Sequence, residues 1–284
     1  MSVNVYDMVT ERIIEQLKQG IIPWQKHWHG IRSGAYNRIT NKPYSLMNQM
    51  LLQHDGEYAS FKQWTTDLGG HVRKGAKAEI VVFWKIQPVE EEKEDGTKVI
   101  KQLPILRYYN VFHISQVDGV EPKELPKLNE DIEPIEQAEK IKEDYKNREH
   151  IRIEEILTNK AFYSPSMDYI QVPCKEQYEH IEEFYSTLFH ELIHSTGHKT
   201  RLDRLDTTTK AHFGSETYSK EELTAECGSA MIMNLLGIET TGTFKNSTAY
   251  IQNWLQVLKN DNHFIISASS KAEKAVKYIL GEAE

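Results

Sequence analysis

Apolar residues recur at helical spacing over residues 5–19, where Val5, Met8, Val9, Ile13, Ile14 and Leu17 share one face and Gly20 supplies a stop. After Pro23-Trp24 the pattern dissolves into a stretch rich in Gly, Asn and Ser. Ser45–Gln53 and Phe61–Leu68 read as short helices, the second closed by Gly69-Gly70. The period then changes. Ala78–Ile86 holds Ile80, Val81, Val82, Phe83 and Trp84 in a strand-like run, and Leu103–Ile114 supplies its partner. The acidic Glu90–Asp95 and Gly96 are expected at the exposed hairpin tip between them. The pattern predicts an α+β unit ending near residue 118.

Residues 119–135 place Pro122, Pro126 and Pro134 among Glu and Lys, the composition of a linker. A charged helix is expected over Ile135–Asn147. Strands follow at Ile151–Leu157 and Ala161–Pro173, the latter a hairpin turning at Pro165-Ser166-Met167-Asp168. Helices at about 181–196, 219–236, 247–259 and 268–280 complete the chain. The fold class is therefore α+β in two domains, 1–118 and 136–284, joined by 119–135.

Composition narrows the setting. No apolar run among the 284 residues approaches the roughly 18 to 20 that a membrane helix needs, so no membrane partner is expected. Met1–Glu15 lacks the basic-then-apolar pattern of a secretory signal. Cys174 and Cys227 form no framework and have no metal-ligand spacing, which fits a reduced, cytoplasmic protein with both as small buried hydrophobes. The net charge of −8 is unevenly spread. Residues 1–120 carry 15 Lys and Arg against 13 Asp and Glu, whereas the remainder carries 19 against 29. Such a split predicts different partners for the halves, with a polyanion for the first.

Candidate chemistry concentrates in His190-Glu191-Leu192-Ile193-His194. On a helix, residues i and i+4 lie one above the other, so His190 and His194 can offer two imidazole nitrogens to one ion. Glu191 falls beside the open coordination position, placed to move a proton from an attacking water to a leaving amine. The metal, zinc with manganese as the alternative, lowers the pKa of its water from about 15.7 to about 7. Phe184, Leu188, Leu192 and Ile193 give the helix an apolar stripe, and Gly197 is a C-cap candidate.

The third ligand sets the subclass. The metzincin pattern H-E-x-x-H-x-x-G-x-x-H has its glycine at Gly197, but its last position is Thr200, and His198 comes too early. His198 is instead expected beside the ligands or at the helix end. Ser219–Glu226 offers the alternative: Glu222 as ligand, with Glu226 one turn on to orient a metal-bound histidine. Ser219 and Glu222 also spell a capping box, and in that case Glu226 would be the ligand. Tyr169–Pro173 is a candidate edge strand for an extended peptide substrate.

In the first half, aromatics alternate with basic residues. Trp24, Trp28, Arg38, Lys42, Tyr44, Lys62, Arg73, Lys74 and Lys77 combine cations for phosphates with rings for unstacked bases. Asn37, Asn48 and Gln63 could add hydrogen bonds to base edges. Burial of the rings in a small core is the competing reading.

Taken together, these motifs resemble the ArdC-type antirestriction proteins of plasmids and other mobile elements. The matching residues include Gly20, Pro23-Trp24, Trp28, Asn37, Lys42-Pro43-Tyr44, Asn48, Phe61-Lys62-Gln63, Gly69-Gly70 and Val72-Arg73-Lys74-Gly75. They continue through Tyr108–Phe112, Phe162–Ser166, Tyr185–His198, Arg201, Phe213–Glu216, Glu221-Glu222-Leu223, and Tyr250-Ile251 with Trp254-Leu255 and Leu258–Asp261. The resemblance implies a single-stranded-DNA-binding domain joined to a zincin-like metallopeptidase domain, and protection of incoming DNA from restriction after conjugation. One departure is Tyr44-Ser45-Leu46-Met47-Asn48, where the family tends to Y-R-G-x-N. Only Tyr44 and Asn48 carry over. Two other readings compete: a DNA shield whose metal is structural, and a DNA-anchored protease acting on DNA-bound proteins.

Overall fold

The structure is a computed structural model describing residues 4–25, 34–92, 98–123, 134–205, 216–238 and 247–282. Helix α1, Val5–Lys18, is capped by the Asn4 side chain accepting from the Tyr6 amide, and Gly20 at φ +77° turns the chain away. A four-stranded sheet follows, in the order β1-β2-β5-β4. Its strands are β1 (Ala35–Asn37), β2 (Gly56–Ala59), β4 (Glu79–Glu92) and β5 (Lys98–His113), with helix α2 (Leu46–Leu51) wholly buried behind it. The expected helix at Phe61–Leu68 forms with a widened turn over Gln63–Asp67, closed by Leu68 N–H donating to the Gln63 carbonyl. Two short strands, β3 (His71–Val72) and β6 (Val117–Asp118), pair beside it.

The β4–β5 hairpin runs in unbroken register from Glu79↔Val111 to Glu92↔Lys98, well past the predicted ends. Beyond the core, Phe83–Ile86 and Ile100–Pro104 are exposed on both faces, so no apolar alternation betrayed this part of the hairpin in the sequence. The expected tip at Glu90–Asp95 is strand as far as Glu92, and 93–97 lie outside the described residues.

The second half opens with α3 (Pro134–Glu149) and a three-stranded sheet of β7 (Arg152–Ile156), β8 (Phe162–Ser164) and β9 (Tyr169–Pro173). The order is β7-β9-β8, β9 running parallel to β7 and antiparallel to β8. This corrects one expectation. Tyr169–Pro173 is the central strand, with Ile170 and Val172 fully buried, so both its edges are paired and no peptide can add to it. Helices α4 (Ile181–Thr196), α5 (Glu216–Leu235), α6 (Ser247–Asn260) and α7 (Phe264–Leu280) then pack as a group.

The halves share an interior. One apolar cluster joins Val9, Ile13, Trp24, Met50 and Ile80 from the first half to Leu223, Cys227, Trp254 and Phe264 from the second. A second cluster lies under α4, where Phe184, Leu188, Leu192 and Ile193 meet Ile170, Val172 and Met233. Between α4 and α5 the approach is close: a Cβ on Gly228 would stand 2.6 Å from Ile193 Cδ1 and 2.8 Å from Cγ1. Glycine there lets the two helices bring their polar faces together.

Candidate metal centre

Helix α4 buries its apolar stripe and turns His190 and His194 toward α5. Their Nε2 atoms stand 3.1 Å apart, and the Glu222 carboxylate reaches within 3.5 Å of each. One donor atom from each of His190, His194 and Glu222 lies within 4.8 Å of the others, an arrangement that can hold a metal ion. Two imidazoles and one carboxylate are a three-ligand donor set suited to a divalent ion.

Helix α5 explains the choice among the glutamates. It begins at Glu216, three residues before Ser219, so Ser219 is a buried interior residue and cannot cap the helix. The capping-box alternative is thereby removed, and Glu222 is free to face α4. Glu226, one turn on, sits with Oε1 3.8 Å from His190 Nδ1. The sequence reading missed Glu221. Its Oε1 is 3.3 Å from His194 Nδ1, and Arg204 grips the same carboxylate through Nη2 and Nε at 2.8 and 3.0 Å. Arg204 is itself tied to the Ile193 carbonyl and Thr196 Oγ1 at the end of α4. Three glutamates thus serve two histidines, with both Nε2 atoms turned toward Glu222.

Electrostatics favour positive charge here. Burial opposes protonation of His194, but hydrogen bonds to Glu221 and Glu222 outweigh it and lift its pKa to about 10. His190 is raised by the same balance of burial against Glu222. Burial also opposes ionisation of Glu222, yet the two histidines hold its pKa far below the carboxylate norm. Glu226 goes the other way, its pKa raised by burial. Glu191 is buried on α4 and acts electrostatically on both histidines and on the half-buried Tyr178.

Two expectations concern the end of α4. His198 takes the helix-end place of the two expected for it, Nδ1 2.8 Å from Thr200 Oγ1. Gly197 is the C-cap but has φ −76°, so it is not there for a left-handed turn. Leu205 packs where its Cβ would be, at 2.7 Å.

The expected DNA contacts divide sharply. Trp24 is fully buried and meets Trp254 edge-on at 5.0 Å, so its ring cannot stack on a base. Asn48 is also interior, bonding both the N–H and the carbonyl of Val82. Arg38 is committed to an ion pair with the buried Glu57. Asn37 Oδ1 holds the turn at Ile39 and Thr40, and Gln63 Oε1 accepts from the Ser60 amide. Lys42, Lys62, Arg73, Lys74 and Lys77 are exposed, and Tyr44 is half-buried. Trp28 lies outside the described residues.

The site and fold define a class: a zincin-like metal domain, with a divalent-metal site, packed against a small α+β domain. A family model described as zincin-like metallopeptidase matches residues 137–271. The N-terminal domain of anti-restriction factor ArdC matches residues 3–112. The metal-free crystal structure of the antirestriction protein ArdC from plasmid R388 is 30% identical, covers 99% of this chain and 98% of its own, and superposes with a TM-score of 0.74. Its Mn(II)-bound form gives 0.75 at 29% identity. Protein y4eC of Sinorhizobium fredii is 31% identical over 97% of this chain and 91% of that one. The chain belongs to the ArdC family. It also matches DNA primase TraC of Escherichia coli, at 33% identity over 97% of this chain, but spans only 20% of that protein's length.

Proposed function

We propose that this protein is a cytoplasmic antirestriction factor that binds single-stranded DNA through its first half and hydrolyses a peptide bond at the site on α4 and α5. The observation that carries the enzymatic reading is the convergence of His190, His194 and Glu222 with the buried Glu191 on the same helix. Bound there, zinc would supply Lewis acidity and an acidic water; manganese suits the donor set as well. His190, His194 and Glu222 would hold it, and Glu226 and Glu221 would orient the two imidazoles. Glu191 would take the proton of the attacking water at its carboxylate and return it to the leaving amine.

Support for the DNA reading is the basic excess of the first half and its exposed Lys42, Lys62, Arg73, Lys74 and Lys77. The similarity to a protein named for antirestriction supports the biological role. Among the described residues no helix is long and apolar enough to cross a membrane.

The deciding experiment is Glu191→Gln, read by metal content, peptide cleavage and plasmid transfer into a restricting host. Loss of cleavage and protection with metal retained is the expected result. Intact protection with metal bound would make the site structural and the protein a shield by occupancy. DNA affinity should fall steeply with salt, and charge reversal at Arg73 and Lys74 should lower it. Affinity unchanged from low to moderate salt would sink the electrostatic reading.

A further inference from the structure

The β4–β5 hairpin carries different chemistry on its two faces. Because its register is unbroken, alternate residues share a face: Val81, Phe83 and Lys85 lie with Tyr109 and Arg107 on one, Val82 and Trp84 with Leu106 on the other. The first face begins in a small core of Ala35, Leu52, Tyr58, Val81 and Val111, against which Tyr44 packs. Just beyond that core, Phe83 and Tyr109 stand side by side, each 39% exposed, with ring centroids 5.2 Å apart.

Cations accompany the rings. Arg107 pairs across the strands with Phe83 and is steadied by its Nη2 donating to Gln87 Oε1 at 2.9 Å. Lys85 is exposed one position further along. From Val81 to Gln87, and from Leu103 to Val111, neither strand contains a carboxylate. Leaving two large rings half in water forgoes their burial, a cost that a partner with flat apolar faces and negative charge would offset. Unpaired bases on a phosphate backbone have both properties; a duplex hides its base faces inside its own stack.

We propose that this face is where single-stranded DNA lays its bases, Phe83 and Tyr109 serving as stacking platforms while Arg107 and Lys85 meet the phosphates. The inference rests on the single-stranded-DNA reading above and adds to it a location and a binding mode. Tyr44 packs against the core at the base of this face, and Lys42 near it is exposed. Sequence preference should be weak, because every base has a face to stack.

The test is fluorescence anisotropy with a labelled oligothymidylate and a duplex of mixed sequence, on the full chain. Phe83→Ala and Tyr109→Ala should each weaken single-strand binding about five- to hundredfold, and Tyr109→Phe should retain it. Arg107→Ala and Lys85→Ala should each reduce the slope of log affinity against log salt by about 0.7. Ile86→Ala, on the opposite face, should change nothing. Equal metal content and unfolding midpoint in all variants would separate a lost contact from a lost fold. If the wild type fails to bind single strands, the broader reading falls. If it binds and the Phe83/Tyr109 double alanine binds equally well, the broader reading stands and this face is excluded. A double alanine that alters only the oligomeric state would also overturn the proposal, by making the face a contact between copies.

Discussion

Glu221 Oε1 lies 3.3 Å from Nδ1 of His194, and the guanidinium of Arg204 clasps that same carboxylate. A carboxylate on Nδ1 fixes the tautomer whose Nε2 carries the free lone pair, and it raises the basicity of that nitrogen. Arg204 in turn holds Glu221 against the end of α4, through the Ile193 carbonyl. The orientation of one candidate ligand is thus set by a residue on the loop after its own helix.

Glu221→Gln should therefore lower metal affinity about 10- to 100-fold while leaving the fold intact. Competition with a chromophoric chelator measures this. Affinity equal to wild type would show that Glu221 answers only to Arg204.

Glu222 and Glu226 should separate cleanly. Glu222→Ala removes a donor within 3.5 Å of both imidazoles and should abolish stoichiometric metal binding. Glu226→Ala, whose carboxylate is 3.8 Å from His190 Nδ1, should bind one metal with reduced affinity. Metal analysis after gel filtration checks both, and the reverse pattern would exchange their roles.

Gly228→Ala places a methyl 2.6 Å from Ile193 Cδ1 and should cost about 1–3 kcal/mol in denaturant unfolding. Adding Ile193→Val, which removes that Cδ1, should recover part of the loss. An additive double mutant would mean the helices do not press together at this point.

Trp24→Ala tests the burial of that ring. It should destabilise the protein by about 3–5 kcal/mol, as for large core aromatics, and should not select against DNA contact in the folded fraction. A variant of normal stability that lost DNA binding would return Trp24 to the interface.

Asp168 gives a pH signature. It pairs with the buried Arg201 through two oxygens at 2.8 Å, and although burial opposes its ionisation, Arg201 and Tyr163 hold its pKa below the usual 3.8. A depressed folded pKa contributes stability above the unfolded value near 3.9, lost as pH falls through the folded one. Asp168→Asn, which tolerates the φ of +46° found there, should be less stable than wild type at neutral pH. The gap should close below about pH 3 in thermal scans. A constant gap at all pH values would assign the effect to packing.

Much of the site was legible because it is local. The i, i+4 spacing of His190 and His194 needs only helix geometry, and the apolar stripe of Phe184, Leu188 and Leu192 says which side of that helix is inside. Glu222 and Glu226 were visible as two acids one turn apart. Where α5 begins removes one argument against Glu222, since a helix that already includes Glu216 leaves Ser219 nothing to cap.

Contacts between distant segments were beyond the sequence. The pattern of Tyr169–Pro173 announces a strand but not its neighbours, and only the pairing with both β7 and β8 makes it central. Trp24 and Trp28 look alike as aromatics among cations, yet Trp24 is claimed by Trp254 from the far end of the chain. Phe83 and Tyr109 read simply as strand residues until the hairpin register sets them side by side. Sequence by itself determined the helix that carries the two histidines, because backbone periodicity is a property of neighbours. Tertiary structure alone decided which glutamate meets which imidazole and which aromatic ring stays in water, because those depend on surfaces that meet only after the chain has folded.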